Sequence, residues 1–233
     1  MNTIKQSLLL LLMALCATAN AGQLTVAPLG LTLQPNQDNA TLTLTNGAGN
    51  SSYYQIQLFA WSQRDGKRQL RQQQQLVVSP PVTLIPANAT QTIRIVRQAA
   101  IPTQAEQSYR LIISEIPERN REKVPNRVQM LLRLSVPIFV GSDQQQPQLS
   151  ARIHDHQLMI KNLGNKHARL VRLAVVDSRN KEHVLKRGLA GYVLPASAMF
   201  WDLPAYLNAS KIHFVSFTLE GENTSLTLET DSQ

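Results

Sequence analysis

Cysteine is almost absent from this chain: among 233 residues there is one, Cys16. A single cysteine cannot form an intrachain disulfide, and it cannot supply the several thiolates of a cysteine-based metal cluster. The sequence also lacks a phosphate-binding loop and a G-x-S-x-G nucleophile motif. We expect a protein that is not an enzyme and that needs no cofactor or metal. Because the exported chain has no disulfide, its stability must come from apolar cores.

Long apolar runs are also scarce, and the one near the N-terminus has the features of a secretory signal peptide. Lys5 provides the positive charge, residues 8–16 form the apolar segment, and residues 19–21 give an A-x-A cleavage site. We predict that residues 1–21 are removed during export and that the mature chain begins at Gly22. No later run approaches the length of a membrane span, so we expect no membrane insertion.

Acidic residues are fewer than basic ones. The chain has 15 Asp and Glu against 23 Lys and Arg, a formal charge of +8, and losing Lys5 with the signal peptide leaves +7. The excess positive charge either forms only a solvated basic surface or attracts acidic partners. Nucleic acid is not an expected partner, because aromatic residues are only 5% of the chain and no basic helix is evident.

Helical periodicity is missing as well, and short alternating runs recur between clusters of Asn, Gly, Pro and Asp, which is typical of β-sandwiches. A polar, turn-rich stretch at residues 142–147 predicts a linker between domains at 22–141 and 148–233. The first domain is predicted to have seven strands, an immunoglobulin-like number, at residues 23–34, 39–45, 53–62, 76–79, 90–97, 107–115 and 124–140. The second is predicted to have six, at residues 157–162, 168–177, 183–189, 198–203, 211–219 and 225–228.

The predicted strand at residues 124–140 is two to three times the usual length. From Val128 onward, apolar side chains recur at every second residue. One face of the strand therefore carries Val128, Met130, Leu132, Leu134 and Val136. Arg133 lies on the opposite face among Gln129, Leu131, Ser135 and Pro137. If this strand lies at a sheet edge, its free N–H and C=O groups and its apolar row favour pairing with another chain. The alternative is that these residues only pack the core of their own domain.

Residues 109–117 have the sequence YRLIISEIP, and residues 86–97 have the sequence PANATQTIRIVR. In order and spacing these motifs resemble those of the periplasmic chaperones of the bacterial chaperone–usher pilus pathway. The first is the most specific match, and the second is similar to the proline loop and following strand of that family. In the second half, residues 160–168 and the GYVLP at 191–195, followed by Trp201, fit the second domain of the family. The resemblance covers nearly all of the mature chain.

The resemblance implies an all-β fold: two immunoglobulin-like β-sandwich domains arranged in an L with an interdomain cleft. It also implies a periplasmic location and a function. Pilus subunits lack their last strand, and the chaperone inserts its own strand into the resulting apolar groove, which is β-augmentation. It then passes the subunit to an outer-membrane usher. The implied groove-filling residues are Val128, Met130 and Leu132, with Leu134 or Val124 at the margin.

The family also binds the C-terminal carboxylate of the subunit with two basic residues in the cleft. One of them lies on the long strand, and matching Leu132, Arg133 and Leu134 to the apolar–basic–apolar step of the family places it at Arg133. Arginine suits this role because it binds carboxylates in a bidentate manner. The usual second residue, an arginine in the first strand, is missing from residues 26–31, which resembles the archaic, spore-coat-like branch. Arg94 or Arg97 is expected to replace it, and since they are three apart on a strand, at most one faces the cleft, with Arg94 favoured.

Two other functions are compatible with the residues alone: an exported two-domain immunoglobulin-like binding or adhesion module, and a secreted hydrolase on a β-sandwich, which is the less favoured. The first expectation, an assembly chaperone, predicts that the protein co-purifies one-to-one with a small subunit that is insoluble when made alone. The sequence leaves open whether the free chaperone self-associates to cover its strand.

Overall fold

The computed structural model describes residues 24–98, 104–117 and 131–229. Within these ranges the regular structure is almost entirely β, and the one helix is a short 3₁₀ turn at Ala209–Lys211. The strands are β1 Leu24–Ala27, β2 Leu31–Leu33, β3 Asn39–Asn46, β4 Ser52–Arg64, β5 Lys67–Arg71, β6 Leu76–Ser79, β7 Val82–Ile85, β8 Thr90–Arg97, β9 Gln107–Ile116, β10 Arg133–Val140, β11 Leu149–His154, β12 Gln157–Asn162, β13 Ala168–Asp177, β14 Glu182–Val193, β15 Ser197–Asp202, β16 Ile212–Leu219 and β17 Glu222–Thr227.

The first ten strands form a sandwich of two sheets. One sheet has the order β1-β3-β8-β6, and the other has the order β2-β10-β9-β4-β5 with β7 also paired to β4. Alternate residues of both sheets point inward because successive side chains of a strand face opposite sides. The enclosed core includes Leu33, Leu44, Ile93, Leu111 and Ile138, each fully buried.

The remaining strands form a second sandwich with its own core. A sheet of order β11-β12-β15 packs against one of order β14-β13-β16-β17. Its fully buried residues include Leu158, Ile160, Leu170, Leu173 and Val215. The described part of the chain is therefore two β-sandwiches in series, which confirms the expected all-β, two-sandwich fold class.

The N-terminal region differs from the prediction of one strand at residues 23–34, which was wrong. The chain forms β1 in one sheet, passes through Pro28 and Gly30, and forms β2 in the other sheet. Proline has no N–H for a strand ladder, so the first ladder ends there and the chain can change sheets.

Three strands were not predicted: β5, β7 and β11. The β4–β5 hairpin turns at Asp65 and Gly66, which have φ of 51° and 68°. Asp-Gly between alternating segments is a strong hairpin signal, because both residues tolerate positive φ, and it could have located β5. The segment of β7 has only four residues and no clear alternation. That of β11 does alternate, with Leu149, Ala151 and Ile153 apolar, and this signal could have located it.

The two sandwiches contact each other through several polar and aromatic groups. The side chain of Gln63 donates to the carbonyl oxygen of Tyr192 at 2.7 Å and accepts from the N–H of Leu194 at 2.9 Å. Glu106, which is buried, accepts from the backbone N–H of His167 at 3.1 Å. The ring of His167 stacks on Phe139 with ring centroids 3.5 Å apart. These contacts hold the ends of β4, β9 and β10 against the second sandwich.

Candidate functional site

The most unusual feature of the first sandwich is the partly unpaired edge of β10. All eight residues of β10 pair with β9 on one side. On the other side, β2 pairs with β10 only from Ile138 to Val140. Residues 133–137 therefore face no other strand of the described chain on that side. We call this side of residues 133–137 the open edge.

The backbone of the open edge points outward at alternate residues. The N–H of Glu115 in β9 donates to the carbonyl oxygen of Leu132 at 2.9 Å, so Leu132 directs its backbone toward β9. In an antiparallel ladder this direction alternates from one residue to the next. Arg133 and Ser135 consequently direct their N–H and C=O groups away from β9. Pro137 also faces outward, where its missing N–H removes no ladder bond.

The inward face of this strand becomes more buried along its length. Leu132 and Leu134 are partly buried and pack against the core, whereas Val136, Ile138 and Val140 are fully enclosed in it. Of the predicted groove-filling residues, the structure therefore places Leu132 and Leu134 on one face, next to the open edge. Val124, Val128 and Met130 lie outside the described residues.

Arg133 lies on the outer face of the same strand. It is exposed, it is opposite Ser114 of β9, and it has no hydrogen bond or ion pair with any residue of the described ranges. Its guanidinium is thus available to a charged group of another molecule that approaches the open edge.

The structure does not bring Arg94 or Arg97 to the open edge. Arg94 lies between the buried Ile93 and Ile95 on β8, so it projects from the outer face of the opposite sheet. Arg97 donates its guanidinium N–H groups to the carbonyl oxygens of Pro35, Gln34 and Gln37, which fixes the loop before β3. That Arg94 or Arg97 supplies the second basic residue for a carboxylate stays a prediction.

A buried arginine that the sequence analysis did not consider lies between the two sandwiches. Arg110 of β9 is 8% exposed, and its guanidinium carbon is 3.7 Å from the ring centroid of Trp61 and 5.3 Å from that of Tyr192. Burial lowers the pKa of Arg110 to about 10. The signal in the sequence was an arginine inside the buried-strand pattern of residues 109–113, where a charge is rarely placed without a partner.

Neither a metal site nor a membrane span is found in the described ranges. No group of three or more His, Cys, Asp or Glu side chains there could hold a metal ion. None of the helical structure in those ranges is long and apolar enough to cross a membrane.

Three examples illustrate the solved structures that share the fold of this chain. A chain of the CsuC–CsuE chaperone–tip adhesion subunit complex, from the archaic Csu pili of Acinetobacter baumannii, is 23% identical with a TM-score of 0.70, covering 89% of this chain and 100% of that one. A chain of the complex of SafA pilin with the SafB chaperone of Salmonella enterica is 16% identical with a TM-score of 0.67, covering 91% of this chain and 99% of that one. The CupB2 chaperone of Pseudomonas aeruginosa is 17% identical with a TM-score of 0.62, covering 88% of this chain and 100% of that one. At these identities the likeness shows the fold alone.

No curated protein matches the sequence. The family model of the PapD N-terminal domain, described as a pili and flagellar-assembly chaperone, matches residues 23–144. That match spans 144 − 23 + 1 = 122 of the 233 residues. The chain therefore belongs to the family of pilus-assembly chaperones, which are not enzymes.

Proposed function

We propose that this protein is a periplasmic chaperone that stabilises pilus or fimbrial subunits by donor-strand complementation and delivers them to an outer-membrane usher. The observation that carries the proposal is the open edge, a regular strand with outward-pointing backbone groups next to partly buried apolar side chains. A subunit that lacks a strand can pair with such an edge and complete its own sheet.

Both backbone and side chains contribute to the proposed binding. The outward groups of Arg133 and Ser135 supply ladder hydrogen bonds, which are independent of the sequence of the partner. Leu132 and Leu134, with Val128 and Met130 before them, fill successive pockets of the subunit groove. Each apolar side chain that becomes fully buried contributes roughly 1.5–3 kcal/mol. Part of this is offset by the entropy lost when the two chains associate.

Charge supports the same binding mode. Arg133 projects beside the open edge without a partner in the described chain, so it can attract an acidic group of the subunit as the strands pair. The net charge of +7 expected for the mature chain favours such encounters. No nucleotide is needed in this scheme, because the completed core of the subunit provides the free energy.

Two further features belong to the proposal. The missing basic residue in the first strand and the shared fold with the archaic CsuC complex support membership of the archaic branch. When no subunit is bound, the open edge is free to pair with a second copy of the chain, so weak self-association is expected.

The experiment is co-expression of the tagged chain, in the periplasm, with candidate pilus subunits that are insoluble when made alone. We expect one of them to co-purify in a one-to-one complex. Leu132→Asp should lower recovery of the subunit at least about tenfold, because a carboxylate enters an apolar pocket. Leu131→Asp is the matched control, since Leu131 is 49% exposed and belongs to the opposite face.

Thermal unfolding of the free variants must accompany this test, because Leu132 also packs partly against its own core. Recovery lost by a folded Leu132→Asp variant, with recovery kept by Leu131→Asp, supports the proposal. Normal recovery with both variants would show that the inward face of the strand does not enter the subunit, and an exported binding module would then be the better description.

A further inference from the structure

The outer face of the second sandwich has a row of small side chains that crosses three strands. Ala174 of β13, Ser216 of β16 and Ser225 of β17 are register partners in neighbouring strands. Successive side chains of a strand face opposite sides of the sheet. Because Val215 and Phe217 are buried in the core, Ser216 and its partners face outward. These three residues form the floor of a shallow depression, which we call the trough.

Longer side chains border the floor of the trough on both sides. Phe214 of β16 and its register partner Thr227 of β17 lie two residues from the floor in one direction. Thr218 and its partner Asn223 lie two residues from it in the other direction. The two rows are four residues apart, which is about 13 Å along the strands. A cavity of about 380 Å³ lies over the floor, and the residues that line it include Arg172, Glu182, Ser216, Thr218, Asn223 and Ser225.

An ion pair of fixed geometry lies at the β13–β14 end of the trough. Arg172 donates from both of its Nη atoms to the two carboxylate oxygens of Glu182, each at 2.6 Å, and Ser216 donates to the same carboxylate at 2.9 Å. Arg172 lies in a bulge of β13 and has a φ of 50°. A bulge re-aims the side chain that it carries, and here it directs the guanidinium along the outer face to Glu182.

The trough keeps hydrogen-bonding groups available next to this ion pair. The hydroxyl of Ser225 makes no hydrogen bond with another residue of the described ranges, and Asn223 uses only its amide oxygen, which accepts from Thr218 at 3.2 Å. A hydroxyl donates and accepts, an amide nitrogen donates, and a carboxylate accepts. The trough therefore presents donors and acceptors side by side.

Charge and shape together restrict the class of ligand. The guanidinium of Arg172 and the carboxylate of Glu182 balance each other, so the trough has no net charge with which to select an anion or a cation. A neutral saccharide has hydroxyl groups that both donate and accept. The C–H face of a sugar ring can also pack on an exposed aromatic ring, and Phe214 is 38% exposed. The volume of the cavity is in the range of ligand pockets.

We propose that the trough binds a neutral saccharide chain. Arg172, Glu182, Asn223 and Ser225 bind its hydroxyl groups, and Phe214 packs against the apolar face of a ring. The trough lies on the second sandwich, away from the open edge, so this inference is independent of the proposed function. A protein exported to the periplasm meets saccharide polymers of the cell envelope there.

Two competing explanations give different results. In the first, the ion pair only fastens the bulge of β13 to β14, and no saccharide binds. In the second, the trough is an additional contact for a protein subunit, so filling it lowers recovery of the subunit and has no effect on a saccharide.

The probes are the neutral trisaccharides maltotriose, chitotriose and mannotriose, with a trimer of galacturonic acid as the acidic comparison. Binding to the mature, full-length protein is measured by calorimetry and by saturation-transfer NMR. We expect at least one neutral trisaccharide to bind with a dissociation constant of about 1 mM or lower. The acidic trimer should bind more weakly, because its carboxylates meet that of Glu182.

Three variants and a matched control locate the binding. Ser225→Tyr fills the trough and should abolish binding, and Phe214→Ala should weaken it about fivefold or more. Arg172→Gly should weaken it about tenfold, and glycine adopts a positive φ without strain, so the bulge should persist. Thr41→Tyr places the same side chain at an exposed strand position of the first sandwich and should bind as the wild type does.

Several results would overturn this inference. They are an absence of binding by all three neutral trisaccharides at about 10 mM, an unchanged affinity in Ser225→Tyr, and binding of the acidic trimer that equals or exceeds that of the neutral ones. Loss of subunit recovery with a folded Ser225→Tyr variant would show that the trough contacts protein, and would overturn it as well. Co-purification of a subunit with the wild type tests the proposed function separately.

Discussion

β10 and β14 both have an unpaired side in the described chain, β10 over part of its length and β14 over all of it, and they differ in almost every other respect. In the first sandwich, β10 pairs with β9 in a register without interruption over eight residues. In the second, β14 is twelve residues long and pairs only with β13, through a register that shifts at three places. The outer part of β14 carries Lys186, Arg187 and Gly188, all exposed.

The comparison shows how a protein keeps one edge available and the other closed to strand pairing. Bulges, lysine and glycine at an edge disfavour pairing with another chain, and β14 has all three. The open edge of β10 has no bulge, lysine or glycine, and its protecting features are limited to Arg133 and Pro137 at its two ends. The inward face of the strand carries Leu134, with Leu132 just before it. Both edges are unpaired, but only that of β10 retains the regular geometry that a partner strand needs.

Ser135→Pro is the substitution for which we expect the largest loss of subunit binding at the open edge. Proline removes the outward N–H of the open edge and places its ring where a partner strand would lie, while the bonds between β10 and β9 remain. We expect subunit recovery in co-expression to fall roughly tenfold or more, with the fold of the free protein unchanged by circular dichroism. Ser135→Ala is the matched control and should bind as the wild type does.

The corresponding change on β14 is Leu189→Asp, which alters a side chain that is 54% exposed. Because β14 is not expected to pair with a partner, subunit recovery should stay at the wild-type level. A strong loss with Leu189→Asp and none with Ser135→Pro would show that the assignment of the two edges is reversed.

The second prediction concerns a feature that both sandwiches have, a buried asparagine whose side chain forms hydrogen bonds with several backbone groups. Asn46 donates to the carbonyl oxygens of Asn50, Ile85 and Pro86, and its own oxygen accepts from the N–H of Ala48. Asn162 is fully buried in the second sandwich, where its amide likewise bridges backbone groups of a turn and of a neighbouring strand.

Replacing either asparagine by alanine leaves several buried backbone groups without partners, so each change should cost about 2–3 kcal/mol of unfolding free energy. Urea denaturation followed by domain-specific probes measures it. We expect Asn46→Ala to shift unfolding of the first sandwich and Asn162→Ala that of the second. Equal shifts of both sandwiches in each variant would show that they unfold as one unit.

The smallest expected difference is in the response to pH. A hydrogen bond from His183 lowers the pKa of Asp177 to about 2, and one from Arg172 lowers the pKa of Glu182 to about 2. A carboxylate with a lowered pKa stabilises the fold above its unfolded-state pKa, here about 4, and that contribution disappears as the pH falls toward 2. Both carboxylates belong to the second sandwich.

In the first sandwich, burial instead raises the pKa of Tyr109 to about 12. The neutral phenol is favoured in the fold, so this sandwich should lose stability as the pH rises from 10 toward 12. Thermal melts at pH 2.5, 7 and 10.5, with separate probes for each sandwich, check both halves of the prediction. Because the two carboxylates are near the surface, we expect shifts in melting temperature of only a few degrees or less. An identical response of the two sandwiches would contradict the prediction.

Alternation in the sequence was enough to predict most strands and the two-sandwich class, since it reports which residues share a face. It does not report which of two sheets a strand joins. For that reason it could not show that the chain changes sheets at Pro28, or that Arg94 projects from the sheet opposite β10. Arg110 escaped notice for a similar reason: its aromatic neighbours come from residues 49 and 82 positions away. Only the folded chain brings them together.

Amide hydrogen exchange of β10, with and without a co-purified subunit, tests the central claim most directly. The N–H groups of Arg133 and Ser135 point to the open edge, whereas those of Leu134 and Val136 point toward β9. We expect that binding of a subunit strongly slows exchange at Arg133 and Ser135 and leaves the amides of β14 unchanged. Exchange at Arg133 and Ser135 that is as fast in the complex as in the free protein would contradict it.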